Sequence, residues 1–317
     1  MHSERSLFMD FIDLHCDTAT EAMHRSVHLT EPHLHIHLPV TKKIERHCQC
    51  FAIYCPDTVR GEDAFNYYTM AKHYFERELE RFPRLFEQVR AAGDIDRITS
   101  EGKTAAVLTV EGGAVLNGRL ENLQRLCDDG VKMITLTWNG ENELGCGSSD
   151  QARGLSPFGF DAIKEMERLG IIIDVSHLSD AGLDDVLKTV SRPVAASHSN
   201  LRFVCGHRRN LTDEQFCEIA RRGGVVGVNL YKYFLNGDGE HASVRDMARH
   251  IEHMLELGGE NAVAMGSDFD GCDVMDGIKG IDDIPALYNA LRAEGISESV
   301  LKKIFWQNAR DFFGRMI

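Results

Sequence analysis

Near the start of the chain, Phe11-Ile12-Asp13-Leu14-His15-Cys16-Asp17 carries apolar residues directly into a His and an Asp two positions apart. In an extended strand residues i and i+2 project from the same side, so His15 and Asp17 are placed to share one cation. An imidazole nitrogen and a carboxylate oxygen suit Zn²⁺ and similar divalent ions, which bind both at about 2.0–2.2 Å. Alone, the spacing is equally that of a strand running into a loop with incidental polar residues. Later strand ends separate the two readings. Glu111 follows Ala105-Ala-Val-Leu-Thr-Val110, and His177 comes just after Ile171-Ile-Ile-Asp-Val175. His198 follows Pro193-Val-Ala-Ala-Ser197, and Asp268 follows Val263-Ala-Met-Gly-Ser267. Taken singly, His177 reads as a helix cap and Glu111 as a solvated turn residue. One chemical type recurring at several strand ends points instead to a shared site.

Such residues converge only if the strands themselves do. Three further apolar runs, Cys50–Tyr54, Val131–Thr137 and Val225–Asn229, bring the candidate strands to eight. A helical pattern runs from about Glu62 to Ala92, with Phe65, Tyr68, Met70, Tyr74 and Phe75 as its large apolar residues and Pro83 kinking or dividing it. A short helix covers Leu123 to Cys127, and Ser156-Pro157 supplies an N-cap and first-turn proline for a helix ending at Leu169-Gly170. Further helices run from about Asp180 to Val190, from the capping box Thr212-Asp-Glu-Gln215 to Gly223-Gly224, and from about Val244 to Leu257. A last helical region ends the chain. This alternation implies a parallel sheet, and eight units in 317 residues favour one (β/α)₈ barrel domain spanning 1–317. All eight strand ends of such a barrel open on the face that carries active sites. An open doubly wound sheet is the competitor, but no Gly-x-Gly-x-x-Gly follows the first strand. Residues 138–154 form a polar loop long enough to be functional.

Between the first two strands lie His24, His28, His33, His35 and His37. His35 and His37 have the His-x-His spacing of some metal hydrolases, yet they alternate with Leu34, Ile36 and Leu38 as a half-buried strand or extended loop would. Two imidazoles, a His-x-Asp pair and a further carboxylate exceed the three ligands of a usual catalytic zinc. They suit two metals about 3.5–4 Å apart, bridged by a carboxylate. His15 and Asp17 then serve one ion, His177 and His198 the other, and Glu111, followed by Gly112 and Gly113, serves both.

The formal net charge of −14 removes the electrostatic footprint expected for nucleic acid or anionic lipid, leaving a small molecule as the ligand class. No run reaches membrane-span length. Nine scattered cysteines without a Cys-x-x-Cys pair argue for free thiols in a reducing compartment, and Cys16 is expected to face away from the candidate ligands into packing. The apolar stretch after Met1-His-Ser-Glu-Arg-Ser6 is broken by Asp10 and Asp13, unlike a signal peptide, and Arg310 to Ile317 lack a lipid-anchor tail. The reading is a soluble cytoplasmic protein.

In order, Asp-Leu-His15-Cys-Asp17, Val-Glu111-Gly-Gly, Asp-Val-Ser-His177, Ala-Ser-His198-Ser, Arg208-Arg209-Asn210 and Gly-Ser-Asp268-Phe-Asp270-Gly cover nearly the whole chain. This series resembles the membrane dipeptidase (renal dipeptidase, M19 metallopeptidase) family. The resemblance implies a (β/α)₈ enzyme with two Zn²⁺ ions that hydrolyses the peptide bond of dipeptides, L-D dipeptides included, using a water shared by the metals. By resemblance, Arg209 matches the arginine that grips the substrate carboxylate, with Arg208 as its rival. Asp268 matches the acidic residue that handles protons, with Asp270 and Asp273 beside it as supporting or turn residues. Trp138 stands where the mammalian enzyme has a substrate-contacting histidine, so the pocket is expected to differ there. The family also suggests a homodimer. Two alternatives compete: hydrolysis of a lactone, cyclic amide or phosphotriester at the same metals, and an inactive barrel serving as a binding protein. No ligand is missing, which opposes the second.

Overall fold

The computed structural model describes residues 8–317, so the segment Met1–Ser6 weighed as a signal peptide lies outside the described residues. Eight parallel strands pair in chain order: β1 (Met9–Cys16), β2 (Ile44–Tyr54), β3 (Thr104–Glu111), β4 (Met133–Thr135), β5 (Ile172–Asp174), β6 (Ala195–Ala196), β7 (Val225–Val228) and β8 (Val263–Met265). β8 returns to β1 through Asp13 and Met265, which closes the sheet into the expected (β/α)₈ barrel. Every strand contributes to an interior apolar cluster that includes Ile12, Leu14, Cys48, Cys50, Ala105, Val107, Met133, Ile172, Ala195, Val225 and Ala264. Trp306, Ala309, Phe312, Phe313 and Met316 from the last helical region join that cluster and plug one end. Alternate strand residues such as Phe51, Ile53, Leu108 and Val110 face outward and pack with Phe75, Leu123, Ile163 and Met254 of the helices. This period-two division is what a barrel wall requires.

β1 breaks that alternation once. Ile12 and Leu14 belong to the interior cluster, whereas Cys16 packs in the outer layer opposite its β2 partner Phe51. Between the pairs Asp13–Gln49 and Cys16–Phe51, β1 advances three residues while β2 advances two. The extra residue is a β-bulge, and it re-aims His15 into the barrel mouth. A plain strand through Asp17 is therefore corrected: β1 ends at Cys16, and Asp17 flanks the N-terminus of the helix Thr18–Arg25. Cys16 does face away, as expected, and all nine cysteines are free.

Other boundaries shift for local reasons. The long helical pattern stops at Arg81, because Pro83 has no N–H to continue it and Phe82 has already left helical geometry at φ −122°. A short strand, Phe86–Gln88, then lies beside the start of β3, and a helix spans Ala92–Ser100. His33 to Leu38 are turns and bends rather than a strand. Their imidazole His35 accepts a hydrogen bond at Nδ1 from the Asp270 N–H (2.9 Å), and the His35 N–H donates back to Asp270 Oδ1 (2.9 Å). That exchange makes His35 a brace for the loop after β8. The Ser156 and Thr212 caps form as expected, with Pro157 in the first turn of its helix. Among the described residues no helix is long and apolar enough to cross a membrane.

Candidate metal centre and substrate pocket

The residues picked out at the strand ends meet. Glu111 divides its two oxygens: Oε1 lies 2.9 Å from His177 Nε2 and 3.5 Å from His198 Nε2, whereas Oε2 lies 3.7 Å from His15 Nε2. His15 Nε2 is in turn 3.6 Å from Asp17 Oδ2 and 3.9 Å from Asp268 Oδ1. Two triads of donor atoms, His15–Glu111–His198 and His15–Asp17–Asp268, each fall within 4.8 Å of one another. Among the described residues, His15 Nε2, His198 Nε2 and Asp17 Oδ1 are buried without a hydrogen-bond partner. Buried polar atoms left unpaired are costly, and three of them aimed into one nitrogen–oxygen donor set fit divalent cations of the zinc type.

The electrostatics agree. Burial pushes Glu111 well above the usual carboxylate range, and the neighbouring Asp17 pushes it further. Burial likewise raises Asp17. Burial opposes charging His15, but Glu111, Asp17 and Asp268 together outweigh it and push the imidazole up to about 10. His177 and His198 are pushed well down, first by burial and then by the positive neighbours Arg209 and His15. Three acids in one dry cluster create a demand for positive charge.

Local backbone geometry aims these groups. His177 and Asp268 both adopt left-handed conformations, at φ 68° and 62°, which turn their side chains back over the strand ends. A Cβ on Gly271 would collide with Asp17 Oδ2 and Asp268 Oδ1, so any larger residue there would push the two carboxylates aside. Several supporting residues escaped sequence reasoning. Asn139 Oδ1 receives His177 Nδ1 at 3.1 Å, and Asn229 Nδ2 donates to Asp268 Oδ2 at 3.0 Å. Asp13 accepts the Ser267 N–H (2.8 Å) and hydroxyl (2.5 Å), steadying the residue before Asp268. The two asparagines follow strands as the ligands do, which is the only signal that marked them; Asp13 was visible only as a charge inside an apolar run.

Asp17, Glu111, His177 and Asp268 line a cavity of about 380 Å³ together with Thr20, His24, Tyr54, Trp138, Tyr231 and Phe234, with His15 and His198 buried behind them. Trp138 meets Tyr54 edge-on at 5.3 Å and lies 6.2 Å from the His177 ring, so it forms an aromatic wall beside the ligands. Arg209 is 6% exposed, its guanidinium lies 5.3 Å over the Phe234 ring, and its Nε and Nη2 find no hydrogen-bond partner among the described residues. Burial lowers it to about 10, with Asp268, Glu111 and Asp174 acting the other way. Arg208 is exposed, and its carbonyl accepts from Gln151 and Arg202. Asp270 is consumed by Thr18 and His35, and Asp273 faces Lys232 at 3.6 Å.

Sequence and structure comparisons give the chain's relatives. An uncharacterized protein in the pqqA 5′ region of Klebsiella pneumoniae is 37% identical over 228 residues, which are 69% of this chain and 84% of that protein. The crystal structure of dipeptidase AC, a metallopeptidase of family M19, superposes with a TM-score of 0.91 at 26% identity, covering 97% of this chain and 98% of that one. A metallopeptidase from Rhodobacter sphaeroides, crystallised with a phosphinate mimic of the dipeptide L-Ala-D-Ala, gives 0.91 at 25% identity over 98% of this chain and 100% of that one. The sequence profile of the membrane dipeptidase family (peptidase family M19) matches residues 6–313, and the chain belongs to that family of metallodipeptidases.

Proposed function

We propose that residues 1–317 act as one catalytic domain, a binuclear metal-dependent dipeptidase that accepts L-D as well as L-L dipeptides. The observation that carries this reading is the buried guanidinium of Arg209, whose Nε and Nη2 find no partner among the described residues, on a chain that also gathers the metal-type donor cluster. A guanidinium fork suits a carboxylate, and a dipeptide carries one a single residue beyond its scissile bond. The ligand in the Rhodobacter sphaeroides relative, a mimic of L-Ala-D-Ala, supports a D-residue at the C-terminal position.

Two Zn²⁺ or other divalent ions held by His15, Asp17, Glu111, His177 and His198 would supply Lewis acidity, bringing water ionisation toward neutral pH and polarising the scissile carbonyl. Glu111 fixes the separation of the two donor sets, because one of its oxygens faces each. Asp268 accepts a proton at Oδ1 and delivers it to the leaving amine, while Asn229 holds Oδ2. Arg209 receives the C-terminal carboxylate. Trp138 and Tyr54 form the aromatic wall that excludes water around the substrate.

Purified protein is expected to contain about two divalent ions per chain. Glu111→Gln is expected to disturb both, and His177→Ala to empty mainly one. Elemental analysis that finds a single ion at full activity would refute the binuclear assignment. A turnover panel of dipeptides against lactones and phosphotriesters tests the substrate class; preference for either of the latter would replace the dipeptidase reading.

A further inference from the structure

Asp174 ends β5 fully buried and has no part in the roles assigned above. Its Oδ1 accepts two backbone N–H groups, from Ser176 (3.0 Å) and Ser197 (2.9 Å). Its Oδ2 accepts two hydroxyls, from Thr135 (2.6 Å) and Ser197 (2.5 Å). A backbone N–H can only donate, so Oδ1 is fixed as an acceptor, and the short contact to Oδ2 takes the single proton of Ser197. Ser197 Oγ also lies 2.8 Å from His198 Nδ1. With its proton committed to Asp174, that hydroxyl can only accept from the imidazole. His198 therefore carries its proton on Nδ1 and its lone pair on Nε2, the buried, unpartnered nitrogen beside Glu111. The one competing hydroxyl, Ser176 Oγ, stands 3.4 Å from Ser197 Oγ and already receives the His198 N–H at 3.1 Å.

We propose that Asp174 is a positioning residue that sets the direction of the Asp174–Ser197–His198 hydrogen-bond relay and so presents the Nε2 lone pair of His198 to a divalent ion. The inference rests on the two-ion reading of the site. It also distinguishes the two imidazoles facing Glu111 Oε1: His198 is backed through a hydroxyl by a full carboxylate, His177 by the neutral amide of Asn139. Asp174→Asn would preserve shape and permit the opposite direction. Its NH₂ group can donate to Ser197 Oγ, Ser197 can then donate to His198 Nδ1, and the imidazole proton moves to Nε2, where it blocks ligation. The same carboxylate-to-amide exchange behind the histidine of a Ser-His-Asp triad leaves that imidazole in the wrong tautomer.

The test uses full-length chain prepared ion-free, with Asp174→Asn, Ser197→Ala and Ser197→Thr beside wild type. Cooperative melting is checked first, and Zn²⁺ is then titrated against a chromophoric chelator. Asp174→Asn and Ser197→Ala are expected to weaken one of two Zn²⁺ affinities by roughly 10–100-fold, leaving the other unchanged, and Ser197→Thr to restore wild-type binding. Long-range ¹⁵N–¹H spectra of the wild-type protein should show His198 protonated at Nδ1. A folded Asp174→Asn variant that binds both ions as wild type does would overturn the proposal, as would a wild-type His198 protonated at Nε2. Should Asp174→Asn fail to fold, the two Ser197 variants and the wild-type spectrum decide. Because none of these readouts uses turnover, a wrong substrate leaves the result intact. A wild-type isotherm with a single Zn²⁺ would instead remove the two-ion reading while the spectrum still reports the relay.

Discussion

Asp268→Asn is expected to lower turnover by roughly 10²–10⁴-fold with metal content close to wild type. The side chain is already oriented from two directions: its φ of 62° turns it back over the barrel mouth, and Asn229 Nδ2 holds Oδ2 at 3.0 Å. An amide fits the same space. It would keep its oxygen toward the Asn229 donor and turn its NH₂ toward the donor cluster, where a basic oxygen had been. Proton transfer loses its acceptor, while His15, Asp17, Glu111, His177 and His198 keep theirs. Asp268 Oδ1 nevertheless shares a triad with His15 and Asp17 within 4.8 Å, so kcat and metal stoichiometry must be measured on the same sample. Loss of an ion together with activity would make Asp268 a ligand and end its assignment as proton carrier.

A free dipeptide and its C-terminal amide are expected to differ in kcat/KM on the order of 10²–10³, because the amide leaves the Arg209 guanidinium buried without a charge partner, a loss of about 3–4 kcal/mol. Tripeptides cut after their first residue should suffer similarly, since they also present an amide where the carboxylate belongs. Arg209 is 6% exposed and unpaired at two of its nitrogens, whereas the Arg208 side chain is exposed. Arg209→Lys should therefore erode the preference for a free carboxylate, since an ammonium offers no planar fork, and Arg208→Lys should leave it intact. Equal kcat/KM for dipeptide and amide in the wild-type protein would remove the clamp, and with it the main support for the dipeptidase reading.

The ligand-type residues were legible because each closes an apolar run, and in a parallel barrel that position alone brings distant residues together. The fold class followed from the same alternation. What the sequence concealed depends on contacts between segments. The β1 bulge exists only as a mismatch of three residues against two between paired strands, and nothing in Phe11 to Asp17 announces it. Asp13 and Asp174 look like stray charges inside apolar runs until their donors arrive from Ser267, Thr135 and Ser197. The long helical pattern through Pro83 was overextended because the short strand Phe86–Gln88 is held by pairing with β3 rather than by its own composition. His35 looked like a metal ligand or an incidental strand residue, and only its distant partner Asp270 makes it a brace.

The bulge also sets how deep the chemistry lies. In an unbroken strand, inward-facing residues come at every second position, so a residue above Leu14 would stand roughly 6–7 Å higher. With one residue added, Leu14 and His15 are neighbours in sequence and both face inward, Leu14 among the side chains that plug the barrel and His15 among the metal-type donors. The imidazole is thereby seated about one residue rise, roughly 3 Å, above a dry foundation that includes Phe312 and Phe313 near the chain's last residues. The last helix thus acts mechanically as a footing for a ligand contributed by the first strand.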